Sequence, residues 1–269
     1  MTLPCERWGT GPVRALFLHG FTGSAASFRH LEPLLGDVVS ATCVDLPGHR
    51  ESPLPAGAGP EGFAEVVRGL GVLLEPGTAL IGYSQGARLA LAVAVAFPER
   101  VGRLVLESGS PGIRRRSERA LRRRSDEAMA ELIRSRGVDA FVESWERLPL
   151  FSGLQALPAE ERAALRARRT GHSAEGLAGA LTTLGQGAQP DLWPALPSLR
   201  VPTLVVSGAR DAKYTRVARR MVAELPLGWR VTLPGVGHAP HLERPRAYAD
   251  ELRSFLSVPW VAEPVEAGP

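Results

Sequence analysis

Gly82-Tyr83-Ser84-Gln85-Gly86 sets a serine between two glycines, after a strand-like run (Thr78 to Tyr83) and before a run of helix formers (Gln85 to Phe97). In that setting the motif is a nucleophile elbow. Its glycines allow a sharp turn that lifts the hydroxyl above a sheet, and the N–H groups opening the helix point at any oxyanion formed there. A serine hydroxyl reacts only when an imidazole takes its proton and a carboxylate orients that imidazole. Both partners follow the serine: Asp211 closes Ser207-Gly-Ala-Arg-Asp211 and His238 closes Gly235-Val-Gly-His238, each just past a strand-like run. Asp211 could alternatively cap the helix after it, and His238 could be a loop histidine without a role. The order serine, acid, histidine at strand ends favours a catalytic triad of Ser84, Asp211 and His238.

Leu18-His19-Gly20-Phe21-Thr22-Gly23 follows the first predicted strand. An oxyanion hole there would use the backbone N–H groups of Phe21 and Gln85. His19 reads as a brace for that turn, and His30, His49 and His172 have no motif support for a catalytic role. His241, three residues beyond His238, reads as a surface or structural histidine. Asp45 is a rival acid, but it precedes the serine and sits in the turn Asp-Leu-Pro-Gly, which favours a structural role.

Arg88 is the only charge in an otherwise apolar run from Gln85 to Phe97, so it is expected to be buried. A buried charge without a partner costs several kcal/mol, on the order of 3–5. The partner is either an internal carboxylate, Glu107 or Asp45, or a carboxylate on a substrate, since Arg88 lies one helical turn after Ser84. Between Arg114 and Arg124 the arginines sort by helical angle. Leu121, Ala128, Met129 and Leu132 define one apolar face, with Arg122 on its flank and Arg123 nearly opposite. Arg122 is therefore the one expected to point inward, and Arg123 outward.

The elements that must position these groups alternate. Strands are expected at Arg14 to Leu18, Val38 to Val44, Thr78 to Tyr83, Val101 to Leu106, Pro202 to Ser207 and Trp229 to Leu233. Helices are expected at Gly62 to Leu74, Gln85 to Phe97, Thr215 to Leu225 and Arg246 to Leu256. That alternation predicts an α/β fold with a mostly parallel sheet covered on both faces. Residues 109–196 break the rhythm: they are Arg-rich, helical in pattern, and bracketed by Pro111-Gly112 and Pro194 to Pro197. They read as a helical cap over the carboxyl edge of the sheet, where open α/β folds bind ligands. One domain is expected over 1–258, with a core of 1–108 and 197–258, followed by a flexible tail at 259–269.

Of 269 residues 44% are hydrophobic, enough for one large core, and the formal charge is +4 with Lys213 the only lysine. The arginine excess reads as genome composition. With no binding motif or basic tail, nucleic acid is a poor candidate partner; an anionic small molecule fits a local arginine cluster better. Cys5 and Cys43 offer neither metal spacing nor a disulfide framework. The N-terminus lacks an apolar signal core, and Ala15 to Leu18 is too short to span a membrane. These features imply a cytoplasmic protein, a monomer or small homo-oligomer, without membrane association.

Several motifs are spread along the chain. They are His19-Gly-Phe-Thr-Gly-Ser24, Asp45-Leu-Pro-Gly-His49, Gly82-Tyr-Ser-Gln-Gly-Ala-Arg88, Leu106-Glu-Ser-Gly-Ser-Pro-Gly112 and Glu118-Arg119 with Arg122 and Asp126. Phe141 with Trp145, Pro149-Leu-Phe151, Gly185-Gln-Gly, Gln189-Pro190 with Trp193, Gly208-Ala-Arg-Asp-Ala-Lys-Tyr214 and Gly237-His238 with His241 continue them. Together these motifs resemble the 2-succinyl-6-hydroxy-2,4-cyclohexadiene-1-carboxylate synthase family of menaquinone biosynthesis, within the α/β-hydrolase superfamily; the resemblance runs from about residue 15 to 256 and implies an α/β-hydrolase fold with an inserted helical cap. It implies the same triad, with Tyr83, Arg88, Arg122, Trp145 and Arg169 on the substrate; Arg166 and Arg168 are close alternatives to Arg169. It further implies loss of pyruvate from a substrate with three carboxylates, without metal or organic cofactor. The chain departs from the family pattern at Ala87 and Arg50, both usually glycine, and at Tyr214, usually phenylalanine. A serine hydrolase acting on an acidic ester, amide or C–C bond shares the triad and is the main alternative. A non-catalytic binding protein on the same fold would usually have lost part of it.

Overall fold

The computed structural model describes residues 3–257, so the expected flexible tail at 259–269 lies outside the described residues. Seven strands form one sheet: β1 Cys5–Trp8, β2 Val13–Leu18, β3 Val39–Val44, β4 Thr78–Tyr83, β5 Val101–Glu107, β6 Thr203–Gly208 and β7 Gly228–Leu233. Their order is β1-β3-β2-β4-β5-β6-β7. All neighbours are parallel except β1, which runs antiparallel to β3 from Cys5↔Val44 to Trp8↔Ala41. The sequence reading missed β1, whose four residues are too few for a pattern and whose pairing is set by its neighbour.

Nine helices accompany the sheet among the described residues: α1 Glu32–Leu35, α2 Gly59–Leu73, α3 Gln85–Ala96, α4 Arg116–Glu146, α5 Ala159–Thr170, α6 Ala174–Leu184, α7 Ala212–Glu224, α8 Pro240–Glu243 and α9 Pro245–Ser257. The expected elements recur with ends moved by up to three residues; α7 starts earlier than Thr215 because Asp211 caps it.

Alternation along the strands divides the core. Leu16, Leu18, Leu80, Leu104, Leu106 and Val205 face α2, α3 and α7. Phe17, Ile81, Val105, Leu204 and Val206 face Phe28, Leu35 and the α9 residues Tyr248, Leu252 and Leu256. Each of these buried side chains contributes ~1.5–3 kcal/mol. With both faces covered, the strand ends are left to carry chemistry.

Between β5 and β6 lie only helices and short 3-10 turns among the described residues. α4 is broken at Gly137 (φ 80°, ψ 167°) and packs on α6 through Ala130, Ile133, Phe141 and Val142 against Leu177, Ala178 and Leu181. The expected inward face of α4 is corrected. Leu121 is 63% exposed, and the buried positions are Asp126, Ala130 and Ile133, about 125° round the helix. Packing on α6 sets the face, and Asp126 is drawn in with it because its charge is fully hydrogen-bonded. Arg122 still points inward, on the Asp126 side of the helix.

Candidate active site

The elbow between β4 and α3 holds Ser84 at φ 51°, ψ −103°, a costly conformation for a residue with a Cβ. A Cβ at Gly82 would overlap the backbone of Gly86, and one at Gly86 the carbonyl of Leu18. The turn is pinned by Ser84 N–H donating to Glu107 O (2.8 Å).

His238 follows β7 and reaches back to the elbow. Its Nε2 lies 3.1 Å from Ser84 Oγ and its Nδ1 2.6 Å from Asp211 Oδ2. The carboxylate accepts Nδ1–H, which leaves Nε2 as the acceptor facing the serine hydroxyl. Asp211, just past β6, also caps α7: its Oδ1 accepts Tyr214 N–H (3.1 Å). One oxygen serves each contact, so the capping reading and the imidazole-orienting reading both hold geometrically. Glu243, which the sequence reading passed over, fixes the histidine loop by accepting Gly237 N–H (2.7 Å) and Ala239 N–H (3.2 Å).

The loop after β2 lies opposite. Thr22 N–H is taken by His49 Nε2 (3.2 Å) and Gly23 N–H by Gly20 O (2.9 Å). No described residue accepts Phe21 N–H, and Gln85 N–H opens α3, where helix geometry leaves it without an intrahelical partner. His19 braces this loop as expected, accepting Leu46 N–H at Nε2 (3.0 Å) and contacting Gly20 O through Nδ1 (2.8 Å). Two further histidines complete an edge-to-face cluster: His49 lies 4.7 Å from His19 and 5.3 Å from His172, ring to ring. His172 accepts Arg50 N–H (3.0 Å) and lies 3.1 Å from Thr22 O, tying the turn before α6 to the same loop.

Ser84 and His238 open into a cavity of about 350 Å³ that is also lined by Phe21, Tyr83, Gln85, Arg88, Arg122, Trp145 and Arg169. All the sequence-predicted site residues except Asp211, buried behind the histidine, thus meet at one place. Arg88 is buried and donates to Leu184 O (2.7 Å). It pairs with neither expected carboxylate: Glu107 accepts the Nδ1–H and N–H of His241, and Asp45 accepts Ala25 N–H. Desolvation lowers its pKa to about 10, so it stays charged at neutral pH. Arg122 donates to Asp126 (2.7 Å) and Gln186 (2.6 Å); Arg123 is exposed and reaches Gly187 O.

Arg168 and Arg169 also line the cavity, whereas Arg166 lines only a neighbouring groove that Arg169 borders too. Arg169 pairs with Glu146 (3.1 Å) and lies over the Phe151 ring. Trp145 packs edge-to-face on Phe21 and tilted against Phe141, and its buried indole N–H has no partner among the described residues. Tyr83 lies between His238 and His241; burial, then the Glu107 carboxylate, pushes its phenol up. His241 is not on the surface. It is fully enclosed and bound to Glu107, 134 residues away, a pairing that sequence spacing cannot signal. Also missed were Gln186, Lys213 and the phenol of Tyr214, all on the cavity wall. Among the described residues no group of three or more His, Cys, Asp or Glu is placed to hold a metal, and no helix is long and apolar enough to cross a membrane.

A model of the alpha/beta hydrolase family matches residues 15–251. The chain is 36% identical over 246 residues to a Bacillus subtilis (strain 168) protein named "Putative 2-succinyl-6-hydroxy-2,4-cyclohexadiene-1-carboxylate synthase", covering 89% of each chain. It is 34% identical over 252 residues to the 2-succinyl-6-hydroxy-2,4-cyclohexadiene-1-carboxylate synthase of Salmonella agona (strain SL483), covering 91% of this chain and 94% of that one. Among solved structures, MenH from S. aureus superposes with a TM-score of 0.88 at 30% identity, covering 95% of this chain and 98% of the other.

Proposed function

Because the chain belongs to the alpha/beta hydrolase family and, within it, to the 2-succinyl-6-hydroxy-2,4-cyclohexadiene-1-carboxylate synthases, we propose that Ser84, His238 and Asp211 are the catalytic triad of a carbon–oxygen lyase. The family reaction is a step of menaquinone biosynthesis: 2-succinyl-5-enolpyruvyl-6-hydroxy-3-cyclohexene-1-carboxylate loses pyruvate to give the cyclohexadiene product.

In this reading Ser84 Oγ, its proton drawn to His238 Nε2, removes the proton from the ring carbon beside the succinyl ketone. The enolate oxygen settles against the N–H groups of Phe21 and Gln85, where a hydrolase would hold a tetrahedral oxyanion. The electron pair returns through the ring double bond and breaks the C–O bond to the enolpyruvyl group. That group leaves as enolpyruvate and becomes pyruvate on gaining a proton at carbon. Asp211 holds the tautomer and steadies the imidazolium.

The substrate is an anionic small molecule. Arg88, Arg122 and Arg169 neutralise its carboxylates, Trp145 and Tyr83 flank its ring, and helices within 109–196 form the cap above it. The enzyme works in the cytoplasm, as a monomer or small homo-oligomer. The observation that carries the proposal is the conjunction of the 3.1 Å serine–histidine contact with a buried, carboxylate-free Arg88 in the same cavity. A coupled assay of pyruvate release by the purified protein tests it, and wild-type rates in Ser84→Ala would overturn the base assignment. Turnover of simple aryl esters without pyruvate release from the pathway substrate would instead mark a serine hydrolase.

A further inference from the structure

At one end of the cavity the direction of every hydrogen bond is fixed by a group that has no choice. Arg122 carries only donors; its Nε donates to Asp126 Oδ1 (2.7 Å) and its Nη1 to Gln186 Oε1 (2.6 Å). Asp126 is locked in turn, because its Oδ2 accepts Gly187 N–H (3.0 Å). An amide whose oxygen faces a guanidinium presents its NH2 on the opposite side, and there Gln186 Nε2 donates to Tyr214 Oη (2.9 Å). Tyr214 is the acceptor in that bond, so its own proton goes elsewhere. No described residue takes it. The phenol is buried, and the side chain lines the cavity with Arg88, Ser84 and His238.

We propose that Tyr214 is a substrate-binding, specificity-determining residue whose Oη–H donates to a carboxylate held between Arg88 and Arg122. The identity of that substrate rests on the reading above; the need for an anionic acceptor rests on the local chemistry. Two guanidiniums converge there, and neither Arg88 nor the phenol proton is in contact with a carboxylate of the described residues; Asp126, the carboxylate whose charge reaches Arg88, has its oxygens on Arg122 and Gly187 N–H. Asp126 and Gln186 are positioning residues: they set the Arg122 plane and fix which way the phenol proton points. The ring itself packs tilted against His238 at 4.8 Å, a contact that phenylalanine would keep, so Tyr214→Phe isolates the hydroxyl.

Two measurements on the full chain separate this inference from the reaction assignment. In the pyruvate assay Tyr214→Phe is expected to raise KM about ten-fold, the low end for a hydrogen bond to a charged group, with kcat changed less than two-fold. In calorimetry with 2-succinylbenzoate, a stable aromatic dicarboxylate, the variant is expected to bind about ten-fold more weakly than wild type. Weaker binding by the variant with no pyruvate released by wild type would sustain the Tyr214 contact and discard the lyase. Equal affinities, no binding to either protein, or a fall in kcat at constant KM would overturn the Tyr214 proposal.

Discussion

Between about pH 7.5 and about pH 5 an unfolded chain protonates His19, His49 and His172, while the folded chain holds them neutral. The reason is geometric as well as dielectric. Each ring uses one nitrogen to accept a backbone N–H, from Leu46, Thr22 and Arg50 respectively, and aims the other at a carbonyl. A second proton would set donor against donor. Burial lowers His19 to about 3 and His172 to about 4, and His49 falls well below its ordinary value. Folded values below the unfolded 6.5 mean that the unfolded state binds more protons beneath that pH. The stabilisation is complete above about pH 6.5 and is lost as the pH falls toward 4 and then 3. At about pH 5 His19 and His172 each cost about 1.5 pH units at 1.36 kcal/mol, or about 2 kcal/mol, and the two together about 4 kcal/mol, with His49 acting in the same direction. That is a large share of the ~5–15 kcal/mol typical of a folded domain. Urea unfolding followed by circular dichroism at the two pH values measures the loss. His172→Gln keeps a donor and an acceptor but does not titrate, so its pH-dependent loss should be about 2 kcal/mol smaller than wild type. An identical loss in the two proteins would refute the reasoning.

Three further outcomes follow from the site. Asp211→Asn preserves the cap on α7 but turns an N–H toward His238 Nδ1, so kcat should fall by about 10³–10⁴ while stability changes by less than about 1 kcal/mol; steady-state kinetics and thermal denaturation check both halves. Arg88→Met removes a buried charge that forms no ion pair among the described residues, so the melting temperature should hold or rise while kcat/KM in the pyruvate assay falls by about 10²-fold. Glu107→Ala strands the imidazole of His241 in the core and should cost about 3 kcal/mol or more in urea unfolding, a loss absent if the pair were idle.

What the sequence disclosed was local. The elbow, the serine–acid–histidine order, the loop after β2 and the charge at Arg88 are each written within a few residues, because backbone geometry and helical periodicity are short-range. What it withheld depends on contacts between distant residues. β1 exists only because β3 offers an edge; the buried face of α4 was displaced by α6. Glu107 meets His241, and Arg50 meets His172, across more than a hundred residues. Tyr214 was visible as a departure from the family pattern, but its consequence required Gln186, 28 residues earlier, to be placed on its hydroxyl.

The division of labour in the site follows from where its parts come from. Ser84, Asp211, His238 and the Phe21 loop sit on strand ends, anchored in the two apolar cores, where small displacements are resisted by close packing. The cations arrive mainly from helices: Arg88 from α3, Arg122 from α4, Arg168 and Arg169 from α5. A triad and a pair of backbone donors suit any reaction that builds negative charge on a carbonyl oxygen, whether by attack on carbon or by loss of an α-proton. In the proposed elimination, then, selection of the lyase path falls to the cations. By fixing the carboxylates in the cavity they would set the ring's C–H bond, not a carbonyl carbon, before Ser84. They would also lower the barrier for a leaving group that departs with negative charge.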